Sequence, residues 1–361
     1  HFDRSWENCL LVLKLLEKKQ HPCEVAQAYN LMGAINWNRS KYEEAIQCHD
    51  RCLALREEMH DDVGVAASYN NLGLVYRSLG KVQLAIESFG KSMEIKRRNN
   101  NLNGMAAAHL NIALTYLDME RFDDAEENCR SAIRLAEDTG NQQLLAEAFG
   151  TMGEVCFHQG TLDEARDHYF ADLHICRKTK SLREQAVIFR RLGELSLAEG
   201  KIDEAADLLS QARELNLQIG SRLESTLLNL LEGRIQIARG KRAHGRQLLE
   251  GTSLELSLLG RKAVAASITA EIGEMCLEEG NEPLAREYLM RATSLVGESE
   301  TVPRLIRNFR EDLERRSPVS LDQIDDDSSR FRVLCWVISL MRTIHDPVSL
   351  HETITETCLL Y

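Results

Sequence analysis

The chain has 361 residues, of which 43% are hydrophobic and 28% are charged, an ordinary balance for a soluble protein. Its formal net charge of -12 argues against a nucleic-acid partner, because neutralising phosphates requires a basic surface. No apolar run approaches the roughly eighteen residues that a membrane helix needs, and no signal peptide opens the chain. We therefore expect a cytoplasmic protein without a membrane or nucleic-acid partner.

A forty-residue period organises most of the chain. A small residue recurs at Gly33, Gly73, Ala113, Gly153, Gly193, Gly233 and Gly273. A second recurs at Ala45, Ala85, Ala125, Ala165, Ala205, Gly245 and Ala285. A turn slot lies between them, held by Gly80, Gly160, Gly200, Gly240 and Gly280, and by Ser40 and Glu120 in two other repeats. Repetition without insertion predicts copies of one structural unit.

Each unit is predicted to be two antiparallel helices joined at the turn. Apolar residues before the turn follow helical spacing, as Tyr69, Leu72 and Tyr76 do. The small residues let the paired helices approach closely. Gly140, Gly220 and Gly260 are expected to end three of the second helices in the left-handed conformation.

In chain order, the period predicts five segments. Residues 1–23 match the second helix of a repeat whose first helix is missing. Residues 24–297 form seven hairpins, and residues 298–316 form a capping helix. An acidic linker over 317–329 precedes C-terminal helices over 330–361. Both ends are expected to be truncated, which would permit self-association.

The motif of Tyr69, Leu72, Gly73 and Tyr76, followed by Ala85 and Phe89, resembles the tetratricopeptide repeat over roughly residues 2–316. The usual unit has about thirty-four residues and ends in proline, but here the second helix runs on. This longer form is similar to the repeats of the Leu-Gly-Asn polarity scaffold and of bacterial signalling regulators. The resemblance implies an all-α fold, a right-handed superhelical solenoid of antiparallel helix hairpins. Residues 330–361 resemble the start of a GAF sensory domain, with a helical cap as the alternative.

The sequence contains no convincing catalytic or metal-binding motif. Glu57 and His60 form an isolated Glu-x-x-His, whereas a di-iron bundle needs two such motifs. His49 occupies the slot that Phe89 holds one repeat later, so we interpret it as a packed core histidine. Cys48 and Cys52 allow a bridge or metal half-site, but free buried thiols are favoured. We expect no enzyme activity, no cofactor and no metal.

The candidate binding site follows from the resemblance, because in this family the first helices line a concave surface. Asparagine amides there can pair with the N–H and C=O groups of an extended peptide, and arginines can receive carboxylates. The alternative is a merely solvated face, which its tryptophan, phenylalanine and leucines disfavour. The predicted peptide-binding residues are Asn30, Trp37, Asn70, Asn71, Arg77, Asn111, Glu154, Phe157, Arg190, Arg191 and Glu194.

These features favour a protein- or peptide-binding scaffold, the regulatory interaction region of a larger signalling or transcription-regulating protein. The alternative is a small-ligand-sensing superhelix that controls an attached output domain. The sixth repeat departs from the pattern at Asn229, Glu232 and Gly245. This departure predicts either a local weak point or a second contact site.

Overall fold

The structure, a computed structural model, describes residues 2–15, 21–296 and 304–316, and these residues form helices joined by short turns. The helices are α1 (Phe2–Leu15), α2 (Pro22–Asn38), α3 (Tyr42–Glu58), α4 (Asp62–Ser78), α5 (Val82–Arg98), α6 (Leu102–Asp118), α7 (Phe122–Thr139), α8 (Gln142–Gln159), α9 (Leu162–Lys178), α10 (Leu182–Ala198), α11 (Ile202–Ile219), α12 (Arg222–Ala238), α13 (Arg242–Leu258), α14 (Lys262–Glu278), α15 (Glu282–Val296) and α16 (Arg304–Arg316). The predicted all-α fold of helix hairpins is confirmed.

The helices end with a regular rhythm. Every twentieth residue from Ser40 to Gly280 has a positive φ, which reverses the chain after each helix. Glycine holds most of these positions, including Gly140, Gly220 and Gly260 as predicted. Side chains occupy the same left-handed conformation at Ser40, His60, Asn100, Glu120 and Lys180. Two helices and two such turns therefore account for the forty-residue period.

In several repeats the first small residue lies beneath a large side chain of the second helix. A Cβ atom on Gly73 would lie 2.5 Å from the Phe89 ring, and one on Gly153 would lie 2.5 Å from the Tyr169 ring. In the first repeat, the His49 ring covers Gly33 in the same way, and His49 is only 2% exposed. The prediction of a packed core histidine is confirmed.

The chain divides into two units after Gly220, a division that the period does not predict. Unit 1 contains α1 to α11, and unit 2 contains α12 to α16. Within unit 2, α16 packs on α14 and α15, and its Ile306, Phe309 and Leu313 are buried. The predicted acidic linker and C-terminal helices lie outside the described residues.

The irregular sixth repeat is the first hairpin of unit 2. A Cβ atom on Gly245 would lie 2.6 Å from the carbonyl oxygen of Gly233. The backbones of α12 and α13 therefore approach so closely that alanine, which other repeats use at this slot, would clash. Asn229 and Glu232 are half-buried.

Two further observations concern the described helices as a set. None of them is long and apolar enough to cross a membrane. The cysteines among the described residues are free thiols; Cys23 is exposed, and the others are buried.

Candidate functional site: the inner face of unit 1

The first helices of successive repeats lie side by side in unit 1. Among helices that do not follow one another directly, α2 approaches α4, α4 approaches α6, and α6 approaches α8. These contacts place the first helices on the inner side of the bend between repeats. We name the surface formed by α2, α4, α6, α8 and α10 the inner face.

Asparagine side chains connect three helices of the inner face. Asn71 Nδ2 donates to Asn30 Oδ1 at 2.8 Å, and Asn111 Nδ2 donates to Asn70 Oδ1 at 3.0 Å. All four side chains are half-buried. Among the described residues, each pair leaves one Nδ2 donor and one Oδ1 acceptor without a partner. The face therefore presents oriented amide groups, held in place from the neighbouring repeat.

Trp37 and Arg77 are tied to the next repeat in the same way. Trp37 Nε1 donates to Ser78 Oγ at 2.8 Å, and Arg77 Nε lies 2.5 Å from Asp118 Oδ2. Both partners lie forty-one residues further along the chain, as in the asparagine pairs. Arg77 was predicted to receive a carboxylate from a partner, but in the unbound chain Asp118 supplies one.

Ionic groups replace the amides on α8 and α10. Arg191 Nη2 lies 2.7 Å from Glu154 Oε2, and Arg190 Nη1 lies 2.8 Å from Glu194 Oε1. The arginine side chains are 21% and 12% exposed, respectively. They are therefore held in fixed positions at the surface rather than extended into solvent.

A buried carboxyl group lies directly behind Arg191. Asp172 on α9 is only 5% exposed, and its Oδ1 accepts a hydrogen bond from Cys176 Sγ at 3.0 Å. Burial raises the pKa of Asp172 to about 6, although the Cys176 hydrogen bond and the Arg191 charge oppose this shift. Asp172 is thus an ionisable group directly behind the inner face, and the sequence interpretation missed it.

Phe157 is half-buried at the C-terminal end of α8. Its ring contacts the His158 ring edge-on, with centroids 5.5 Å apart. His158 in turn stacks on Phe122, with centroids 5.8 Å apart. The aromatic group is therefore part of a small cluster at the turn end of the inner face.

The predicted residues fall into two groups on the inner face. The amide and aromatic group is Asn30, Trp37, Asn70, Asn71, Arg77 and Asn111 on α2, α4 and α6. The charged group is Glu154, Arg190, Arg191 and Glu194 on α8 and α10, with Phe157 beside it. Sequence interpretation missed Ser78, Asp118, Gly150 and Asp172. A search for polar residues spaced forty-one apart would have found Ser78 and Asp118.

Two segments of the chain match a known protein family. Residues 24–98 and 104–169 match the family described as Tetratricopeptide repeat. These two segments are similar to tetratricopeptide repeats. The matched residues include α2 to α8 and most of the inner face. No curated protein matches the chain.

Solved tetratricopeptide-like structures share the fold at low sequence identity. A Rap protein complexed with the Competence and Sporulation Factor is 14% identical, with a TM-score of 0.66, covering 85% of this chain and 80% of that chain. The Rap conjugation gene regulator of plasmid pLS20, in complex with a Phr peptide, is 18% identical, with a TM-score of 0.61 and coverage of 85% and 79%. The apo form of the quorum sensor NprR from B. thuringiensis is 15% identical, with a TM-score of 0.62 and coverage of 82% of each chain. At these identities the likeness shows the fold alone.

Proposed function

We propose that the inner face of unit 1 binds an extended peptide segment, and that the chain is a binding module of a regulatory protein rather than an enzyme. The observation that carries this proposal is the pair of asparagine contacts between neighbouring repeats. Each pair holds at the surface an amide donor and a carbonyl acceptor that no described residue engages. A peptide backbone offers the complementary acceptor and donor at every residue.

The side chains around the asparagines support a peptide over a wholly apolar ligand. Leu74, Leu114 and Leu117 are half-buried along the same helices and can take apolar side chains. The ion pairs of Arg190 and Arg191 lie further along and can exchange partners with charged groups. A segment with apolar residues toward one end and charged residues toward the other fits this order.

Solved structures with the same fold also support the proposal of a peptide ligand. One Rap structure contains the Competence and Sporulation Factor and another contains a Phr peptide, so this fold carries such ligands in other proteins. The regulatory role, the resemblance to the Leu-Gly-Asn polarity scaffold, and the start of a GAF-like sensory domain over residues 330–361 are parts of the proposal.

The experiment begins with a peptide selected from a random twelve-residue display library by its binding to the full chain. Its affinity is then measured by calorimetry for the parent, Asn71→Ala and Asn111→Ala. Leaving a buried backbone group unpaired costs about 1–3 kcal/mol, which corresponds to a loss of roughly fivefold to more than a hundredfold in affinity.

Asn128→Ala is the matched control. Asn128 lies on α7, a second helix, where it pairs with His109 Nδ1 at 2.9 Å. It should leave the affinity unchanged, since Asn128 lies on a second helix and contacts α6 on the side that faces α7. If both inner-face variants stay helical by circular dichroism and bind as the parent does, the proposal is wrong.

A further inference from the structure

Gly150, in the fourth repeat, makes room beside α8 for two charged side chains. A Cβ atom on Gly150 would lie 2.6 Å from Asp172 Oδ2 and 2.8 Å from Arg191 Nη1. A carboxylate oxygen from the second helix α9 and a guanidinium nitrogen from the first helix α10 therefore meet over one point of α8. Neither Asp172 Oδ2 nor Arg191 Nη1 has a hydrogen-bond partner among the described residues. The recorded bonds use the other atoms of each group: Asp172 Oδ1 accepts from Cys176, and Arg191 Nη2 donates to Glu154.

Both positions depart from their counterparts in other repeats. The slot of Gly150 holds Asn30 and Asn70 in the first two repeats, Leu110 in the third, and Arg190, Leu230 and Ala270 in the last three. The slot of Asp172 holds small uncharged residues in the other second helices: Cys52, Ser92, Ala132, Ala212, Thr252 and Ala292. A buried carboxylate is costly unless it is paired, so a packing role alone does not explain an aspartate there. The two departures coincide in space, because a side chain at position 150 would overlap the ends of Asp172 and Arg191.

The pair offers the same kinds of hydrogen-bonding atoms as the asparagine side chains that hold this slot in the first two repeats. An asparagine side chain offers one acceptor oxygen and a donor nitrogen. Asp172 Oδ2 offers an acceptor and Arg191 Nη1 offers a donor, and both reach the inner face where the asparagine would be. Bonds to charged groups are about twice as strong as those between neutral groups.

We propose that Gly150, Asp172 and Arg191 form a further backbone-binding subsite, in which Asp172 Oδ2 accepts a peptide N–H and Arg191 Nη1 donates to a peptide C=O. This inference rests on the proposed peptide-binding function and extends the bound segment from α2 as far as α10. It also assigns a binding role to a residue of a second helix.

The test uses the peptide selected from the twelve-residue library and a series of its analogues, each methylated at one backbone nitrogen. One analogue should bind the parent at least about tenfold more weakly, because methylation removes the N–H that Asp172 accepts. The same methyl group should cost the Asp172→Ala variant little. Ala132 and Ala212 hold this slot in other repeats, so the alanine variant should fold. Asp172→Asn keeps an oxygen acceptor and should retain part of the effect.

Gly150→Ala should also lower the affinity for the unmethylated peptide about tenfold, because the added methyl group displaces the ends of Asp172 and Arg191. Gly90→Ala is the control, since a Cβ atom there has no neighbour within 4 Å. If Asn71→Ala weakens binding while Asp172→Ala and Gly150→Ala bind every analogue as the parent does, the subsite is wrong and the proposed function stands. If Asn71→Ala also binds as the parent does, both are wrong.

Discussion

At the scale of single residues, the side-chain contacts between neighbouring repeats could not be predicted from the sequence. Asn30 and Asn71 belong to different first helices, and their contact depends on how one repeat rotates on the next. The period places both residues on the inner side but does not bring the amides together. The same applies to Arg77 and Asp118. Asp172 was missed for another reason: its slot is a core slot elsewhere, and no local motif distinguishes it.

His49 makes stability depend on pH. Burial lowers the pKa of its ring from 6.5 to about 4, and Nδ1 has no hydrogen-bond partner among the described residues. Below about pH 6.5, His49 therefore becomes protonated in the unfolded chain but stays neutral in the folded chain. The folded state therefore keeps its full stability with respect to His49 above pH 6.5 and loses stability as the pH falls toward 4.

His49→Phe should remove this loss, because Phe89 and Tyr169 fill the same slot in other repeats. Between pH 7.5 and pH 5 the parent should lose about 2 kcal/mol more unfolding free energy than the variant. Urea denaturation at both pH values measures the difference, with His174→Phe, an exposed position on α9, as the control. The raised pKa of Asp172 makes the folded state more stable as the pH falls. Because Asp172 is present in both proteins, its effect cancels in the difference between them. An equal loss in parent and variant would contradict the assignment.

At the scale of elements, sequence predicted most of the fold because its determinants are local. A turn residue, a small residue and helical apolar spacing each act within one hairpin, and each recurs every forty residues. The left-handed residues at the helix ends follow the same rule, including Ser40 and Glu120. The division after Gly220 was not predicted, because it reflects packing between hairpins rather than a pattern within one.

The helix ends offer a stabilising substitution. Glu120 has φ 57°, a conformation that costs a side chain about 1–2 kcal/mol relative to glycine. Glu120→Gly should therefore raise the unfolding free energy by about 1 kcal/mol, after allowance for the more flexible unfolded chain. Gly80→Ala, with φ 73° in the corresponding turn, should lower it by a similar amount. Denaturant unfolding checks both, and a change of the opposite sign in either variant would contradict this account of the turns.

Two glycines inside helices should respond to alanine with opposite signs. Gly73→Ala would drive a methyl group into the fully buried Phe89 ring and should destabilise by about 1–3 kcal/mol. Gly90→Ala meets no atom within 4 Å and should stabilise α5 by about 0.5–1 kcal/mol. The two variants differ in burial but not in chemistry, and equal effects on the urea midpoint would rule out the close-approach explanation for Gly73.

At the scale of the whole molecule, the account concerns unit 1, whose inner face carries the predicted peptide-binding residues. Pairing between repeats makes this face a set of preorganised polar groups, which reduces the ordering cost of binding. The second helices, by contrast, carry the buried side chains that close the hairpins, such as Phe89 and Tyr169. Both helices of each repeat contribute to the core, whereas the predicted peptide-binding residues lie on the first helices. In the proposed subsite, Asp172 is the exception, since it lies on a second helix.

Photo-crosslinking tests the central claim, that a peptide lies along the inner face of unit 1, most directly. A benzophenone side chain is placed at Leu114, which is half-buried on the inner helix α6, and in a second protein at Phe170, which is 50% exposed on α9. After irradiation with the selected peptide, mass spectrometry should find the crosslinked adduct at position 114 and little at position 170, although the latter is more accessible. Crosslinking at position 170 with none at position 114 would contradict the account.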